Sequence, residues 1–206
     1  MGKLKPGSFS LIEKLESFEK PYFNLADLEK ILGLERPSLY VTLSRLTRAG
    51  VLRRLRRGVY ELSLRPGDVE KVANQIYYPS YLSFEAALAR SGIIAQIPYT
   101  LTFATTKRSK KLSIRQTVVE YRQLKKELFF GYKLVSDVLV AEPEKALLDQ
   151  LYLLSLGKAV LHVDELNLRK LSKNKFLEFA KTYPVRVRNK AQILAKDFGK
   201  TLITIR

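Results

Sequence analysis

The 206-residue chain is 46% hydrophobic and 28% charged, enough apolar content to bury one large core or two small ones. It has no cysteine, which excludes disulfides, thiolate metal sites and thiol catalysis, and no run approaches the roughly 18–20 uninterrupted apolar residues of a membrane span. Its 37 Lys and Arg against 20 Asp and Glu, a formal net charge of +17, favour a polyanionic partner, nucleic acid before an anionic membrane surface.

The first residues, MGKLKPGSFSLIEKLESF, lack the continuous apolar core and small-residue cleavage site of a secretory signal, so a cytoplasmic protein is expected. Within them Leu11, Ile12, Leu15 and Phe18 repeat on one side of a helix expected over Ser10 to Phe18, which Pro21 follows. A second helix is expected after Asn24, whose side chain can cap the first turn. Leu25, Leu28, Ile31 and Leu32 recur at helical intervals, and Gly33 supplies the stop. A third opens at Pro37 and runs to Ala49, with Gly50 as breaker and Leu39, Leu43 and Leu46 as the buried stripe. At 100° per residue its opposite face carries Val41, Ser44, Arg45 and Arg48, with Ser38 and Tyr40 near the N-terminal end. Short polar and guanidinium groups on a helix held down by an apolar seam suit the major groove of DNA.

VLRRLRRGVYEL then reads as a hairpin, Gly58 taking the positive φ of a tight turn and Arg53, Arg54, Arg56 and Arg57 lining strand and tip. This order of elements is a winged helix-turn-helix. From Arg36 to Tyr60 there are seven arginines and no Asp or Glu, and arginine's planar fork binds phosphate bidentately.

Arg65-Pro66-Gly67-Asp68 marks a turn, and residues 63–76 a connector with a short helix. The spacing thus predicts two domains, a winged helix over 1–70 and a second domain over 76–206. The first 75 residues hold 14 basic against 9 acidic side chains and the remainder 23 against 11, so a second basic surface belongs to the C-terminal part.

That part opens with a helix that Ser83 can cap, Phe84, Ala87 and Leu88 inward and Gly92 at its end. TLTFATT (100–106), IRQTVVEYRQL (114–124) and FFGYKLV (129–135) predict strands, with KRSKK between the first two an exposed hairpin or loop. Val138 to Val140 suits a short strand. Glu142 or Pro143 starts a helix in which Ala146, Leu147, Gln150, Leu151 and Leu154 keep helical spacing. Helices over Lys173–Lys181 and Arg186–Asp197 flank Tyr183-Pro184. The expected class is α+β, an N-terminal winged helix-turn-helix followed by a mixed α/β domain with a small, mainly antiparallel sheet.

Glu142, Glu144, Lys145 and Asp149 invite a catalytic interpretation, but acidic groups suit the positive end of a helix and the apolar residues after them suit a core. One further option pairs Glu144 or Asp149 with a basic residue of the sheet. His162 is the sole histidine and builds no cluster, and phosphate-cradling glycine loops are missing. No catalytic residue, metal site or cofactor is expected. The basic set Lys107, Arg108, Lys110, Lys111, Arg115 and Arg122 admits three uses: a solvated loop, a second contact to DNA phosphates, or an RNA- or toxin-directed surface. Tyr99, Phe103 and Tyr121 nearby could stack on bases, though their alternation assigns them to the core.

With these residues laid out, the chain resembles the AbiEi-like antitoxins, transcriptional regulators encoded beside nucleotidyltransferase toxins in phage-defence operons. The likeness lies in LSRLTRAGVLRRLRRGVYEL for the DNA-binding half. In the second half it lies in YPSYLSFEAALARSGII, ATTKRSKK, ELFFGYKLV and above all VAEPEKALLDQLYL. The resemblance implies an autorepressor that binds inverted repeats in double-stranded DNA at its own promoter. It also implies an antitoxin that counteracts a nucleotidyltransferase toxin (a type IV pair) without needing a stable complex. A stand-alone winged-helix regulator with a ligand- or partner-sensing second domain, or a DNA-targeted nucleic-acid-modifying enzyme, are the alternatives. Inverted repeats imply two copies of the reader, whose association the sequence does not fix.

Overall fold

The computed structural model describes residues 7–198, and the chain divides between Val72 and Ala73 into two units.

In the first unit, α1 (Gly7–Glu16) buries Leu15 completely and leans Leu11 and Ile12 on the same core. Phe18 lies past the helix end and is 48% exposed, so the expected apolar stripe stops one position early. A two-residue strand, β1 (Phe23–Asn24), precedes α2 (Leu25–Leu32). Asn24 ends the strand and caps the helix. Its Oδ1 accepts from Asp27 N at 2.9 Å, while its own N–H donates to Asp27 Oδ2 at 3.0 Å, a reciprocal capping box. Partial burial pushes the Asp27 carboxyl up, but the Lys20 ammonium and the Asn24 N–H outweigh it and hold it below its ordinary value. Asn24→Ala is therefore expected to cost about 1 kcal/mol, read as a lower denaturation midpoint; an unchanged midpoint would refute the cap.

Gly33 closes α2 in the left-handed region at φ +64°, and α3 (Arg36–Arg48) follows with Pro37 in its first turn. Leu39, Leu43 and Leu46 point into the core, as the spacing predicts. The wing is β2 (Leu52–Arg56) antiparallel to β3 (Val59–Leu62), with β1 on the other side of β3. Sequence reasoning missed β1, because two residues carry no alternation. A bulge between Arg54 and Arg56 breaks the in-out alternation of β2, which is why Arg53 and Arg54 are both exposed. Gly58 turns the hairpin at φ +74°, and a Cβ there would lie 3.3 Å from Leu25 Cδ1. Phe23, Leu28, Ile31, Leu52 and Tyr60 complete the core of this unit.

Helix α4 (Val69–Ile76) leads into β4 (Ser80–Leu82), α5 (Phe84–Arg90), β5 (Thr100–Thr105), β6 (Lys110–Ile114), β7 (Thr117–Gln123), β8 (Tyr132–Val135) and β9 (Val138–Ala141). The strands β4 to β9 form one six-stranded sheet in the order β6-β7-β5-β4-β9-β8. It is larger and more mixed than expected. β4/β5, β6/β7 and β8/β9 are antiparallel, whereas β5/β7 and β4/β9 are parallel. The parallel pairs arise because β7 slots between β5 and β6, and because β9 comes in beside β4 after the chain has crossed to the far edge. KRSKK is not simply a loop either: Lys110 and Lys111 begin edge strand β6, where lysines deter pairing with another chain.

After β9 come α6 (Pro143–Ser155), α7 (Lys173–Ala180) and α8 (Val185–Leu194), α6 packing on α5, α7 and α8. Every residue of α6 from Glu144 to Leu153 is buried, so this helix has no solvent face and its charges must find partners inside. No described helix is long and apolar enough to cross a membrane.

Candidate nucleic-acid interface

Helix α3 is held by its leucine seam with the opposite face outward. Ser38, Tyr40, Val41, Ser44, Arg45 and Arg48 are all exposed, and all but Ser38 line one open depression. Arg45 and Arg48 make no side-chain hydrogen bond or ion pair among the described residues, which leaves both guanidinium forks available to a ligand. Arg36, by contrast, is bound to Glu29 at 2.7 Å.

The wing arginines Arg53, Arg54, Arg56 and Arg57 are exposed but not equivalent. Arg53 faces Glu61 across the β2/β3 ladder, N to O 3.3 Å, and that carboxylate is fully buried. Arg54 Nε donates to the Arg56 carbonyl at 3.3 Å. Arg57, at the tip, has no side-chain partner among the described residues. The count from Arg36 to Tyr60 stopped one residue short of Glu61, the acid that engages Arg53.

In the second unit the structure splits the proposed basic surface. Lys107, Arg108, Lys110 and Lys111 are exposed together at the β5–β6 connection and the start of β6. Tyr77 organises them: its hydroxyl donates to the Arg108 carbonyl at 2.9 Å, and the Lys107 and Lys110 ammonium groups each sit 5.6 Å from its ring. Arg115 is half-buried at the other end of β6. Arg122 departs from expectation, because Glu85 and Glu120 hold its fork, at 2.7 and 3.0 Å, leaving it occupied. Phe103 and Tyr121 are core, whereas Tyr99 is 96% exposed because it precedes β5 rather than joining it. Close by, Arg122, Lys125, Tyr152 and Lys158 line a cavity of about 350 Å³.

The acidic segment of α6 has Glu144 in its first turn and its apolar residues in the core, as the second interpretation expected, but its charges are partnered inside the fold. Asp149 is fully buried and its partner is Lys145 on the same helix, not a base of the sheet. Around this pair, Tyr81 and Ser83 donate to Asp149 Oδ2 at 2.9 and 2.8 Å, and Tyr183 donates to Oδ1 at 2.7 Å. Lys145 Nζ in turn donates to the Tyr81 and Tyr183 hydroxyls at 2.9 and 2.7 Å. Ser83 thus spends its hydroxyl on Asp149 and does not cap α5. Burial pulls the Lys145 ammonium below the ordinary lysine value, with Asp149 opposing. Burial and the Asp149 charge drive the Tyr81 and Tyr183 phenols far upward, so both keep their protons. The only signal in sequence was the Lys145/Asp149 spacing of four inside an apolar run.

Glu144 accepts from Ser172 N at 2.8 Å and so ties down the chain before α7. Glu142, the residue before α6, makes no cap bond and pairs instead with Lys133, at 3.3 Å, and with Lys175. Partial burial raises its pKa, but the two ammonium groups outweigh that and hold it below 4.5. A depressed folded pKa means stability that is present above the ordinary value of 4.5 and is lost as the pH falls from there through the lower folded pKa. Glu142→Gln should therefore flatten the acid limb of a melting-temperature profile while lowering its neutral plateau. An acid limb of unchanged steepness would sink this assignment. Exposed His162 joins no cluster, and no group of three or more His, Cys, Asp or Glu side chains fit to hold a metal occurs among the described residues.

Comparison with known proteins matches residues 10–63 to a family model described as "Transcriptional regulator, AbiEi antitoxin". No curated protein matches the chain. Among solved structures, that of the RV2827C protein from Mycobacterium tuberculosis aligns with a TM-score of 0.65 at 16% identity, covering 96% of this chain and 79% of that one. This shows a shared fold. The family match runs from within α1 through the helix-turn-helix to the end of the wing, so the likeness to the AbiEi antitoxin transcriptional regulators is carried by the first unit.

Proposed function

We propose that the chain is an autorepressor that binds inverted repeats in double-stranded DNA at its own promoter, and the antitoxin to a nucleotidyltransferase toxin, an action that does not require a stable complex with it. The observation that carries the DNA part is the outward face of α3, where Arg45 and Arg48 stand unpaired among the described residues, with Arg57 equally free at the wing tip. The family match supports regulation and antitoxin activity in general. The toxin's chemistry rests on the resemblance of the C-terminal segments, VAEPEKALLDQLYL foremost. Action by binding rather than catalysis, in the cytoplasm, is part of the same proposal. It is supported by Glu144 and Asp149, the carboxylates that suggested an enzyme, being buried and occupied.

The test is titration of the full chain with DNA from upstream of its own gene over a range of salt. About five phosphate contacts give a log–log slope near −4 to −5, and equal affinity for scrambled DNA would overturn the regulatory assignment. Co-expression with a nucleotidyltransferase encoded beside it tests the antitoxin part, the expected outcome being rescue of growth. One feature favours a ligand-sensing regulator as a second reading, the cavity of about 350 Å³ beside Arg122 and Lys158.

A further inference from the structure

The reading face of α3 is not uniformly polar. Val41 is 63% exposed and Tyr40 50% exposed, although the core-facing seam is complete without them in Leu39, Leu43 and Leu46. An exposed β-branched residue adds nothing to this helix by propensity and buries little in the free protein. It stands in one stripe with Ser44, Arg45 and Arg48, at spacings of three, four and seven residues, in the same depression.

A helix face that enters the major groove meets mainly hydrogen-bonding edges, and the one apolar group the bases present there is the thymine 5-methyl. Arginine's bidentate match in the same groove is guanine O6 and N7. Four residues advance roughly 6 Å along a helix, so Val41 and Arg45 reach positions about two base steps apart at 3.4 Å per step. We infer that α3 reads a thymine through its 5-methyl group with Val41, and a guanine within about two base pairs of it with Arg45. Tyr40 walls the same depression and shields the methyl contact from water.

This inference rests on the proposed DNA binding, and its test separates the two. The full chain is titrated with its own upstream DNA made with thymine, or with deoxyuridine, which lacks only the methyl group. Wild-type protein should lose roughly fourfold in affinity per methyl contact on the deoxyuridine DNA. Val41→Ser should bind both DNAs equally with an unchanged salt slope, and Val41→Thr, which keeps a methyl, should restore discrimination. The position is exposed, so these variants fold, as circular dichroism would verify. No preference for the upstream DNA by the wild type defeats the DNA reading itself. Specific binding that ignores the thymine methyl, or Val41→Ser discriminating like the wild type, overturns the role of Val41 alone.

Discussion

Replacing Asp149 by alanine is expected to destabilise the C-terminal unit by about 3–5 kcal/mol, the range measured when one partner of a buried ion pair is removed. The reason is what remains behind. Lys145 would sit in a site with no solvent exposure facing two phenols, and three hydroxyls, of Tyr81, Ser83 and Tyr183, would lose their acceptor. Domains of this size are stable by only about 5–15 kcal/mol, so the variant approaches unfolding. Segment-resolved hydrogen exchange is the suitable measurement, because the two units need not melt together. Protection should collapse in α6 and β4 and persist in α2 and α3. The double change Lys145→Met with Asp149→Leu should recover part of the loss, since no charge is then stranded. Full protection of α6 in Asp149→Ala would show that the network does not hold the unit together.

The second large effect concerns DNA. Arg45→Ala and Arg48→Ala should each cost about 1–3 kcal/mol if their forks read bases, the pair weakening specific binding by roughly two to four orders of magnitude. Binding to unrelated DNA should change far less. The wing gives a finer result, because its arginines are not equally free. Arg57→Ala should lower the salt slope by about 0.9, one phosphate contact, whereas Arg53→Ala should leave it nearly unchanged because Glu61 already holds that side chain. Equal slopes for the two variants would mean that Arg53 leaves Glu61 to meet phosphate.

The first unit was largely legible in the sequence because its signals are local. Asn24, Gly33, Pro37, Gly50 and Gly58 each act on the nearest turn, and the leucine seam of α3 follows from a period alone. Site residues on α3 were placed outward by the same period. What escaped depends on contacts far apart in sequence. The Glu61 partner of Arg53 lies across a hairpin, the clamp on Arg122 comes from Glu85 on another element, and β7 slots between β5 and β6 in an order no periodicity encodes. Lys145 escaped for a different reason. A lysine in an apolar run is ordinarily taken to reach water along its aliphatic stem, and only the fold reveals that every direction is closed.

The lack of room for a side chain at Gly58, where a Cβ would crowd Leu25, bears on how the wing is used. Because the hairpin turn packs closely against the first residue of α2, the tip that carries Arg57 is not a tethered arm searching for a phosphate. Its position relative to the capped helix is fixed when the unit folds, so DNA does not have to bear the entropy of ordering it at the moment of binding. Tight association would then come from a surface whose spacing was already set, and a side chain at Gly58 would weaken DNA binding without altering a single charge.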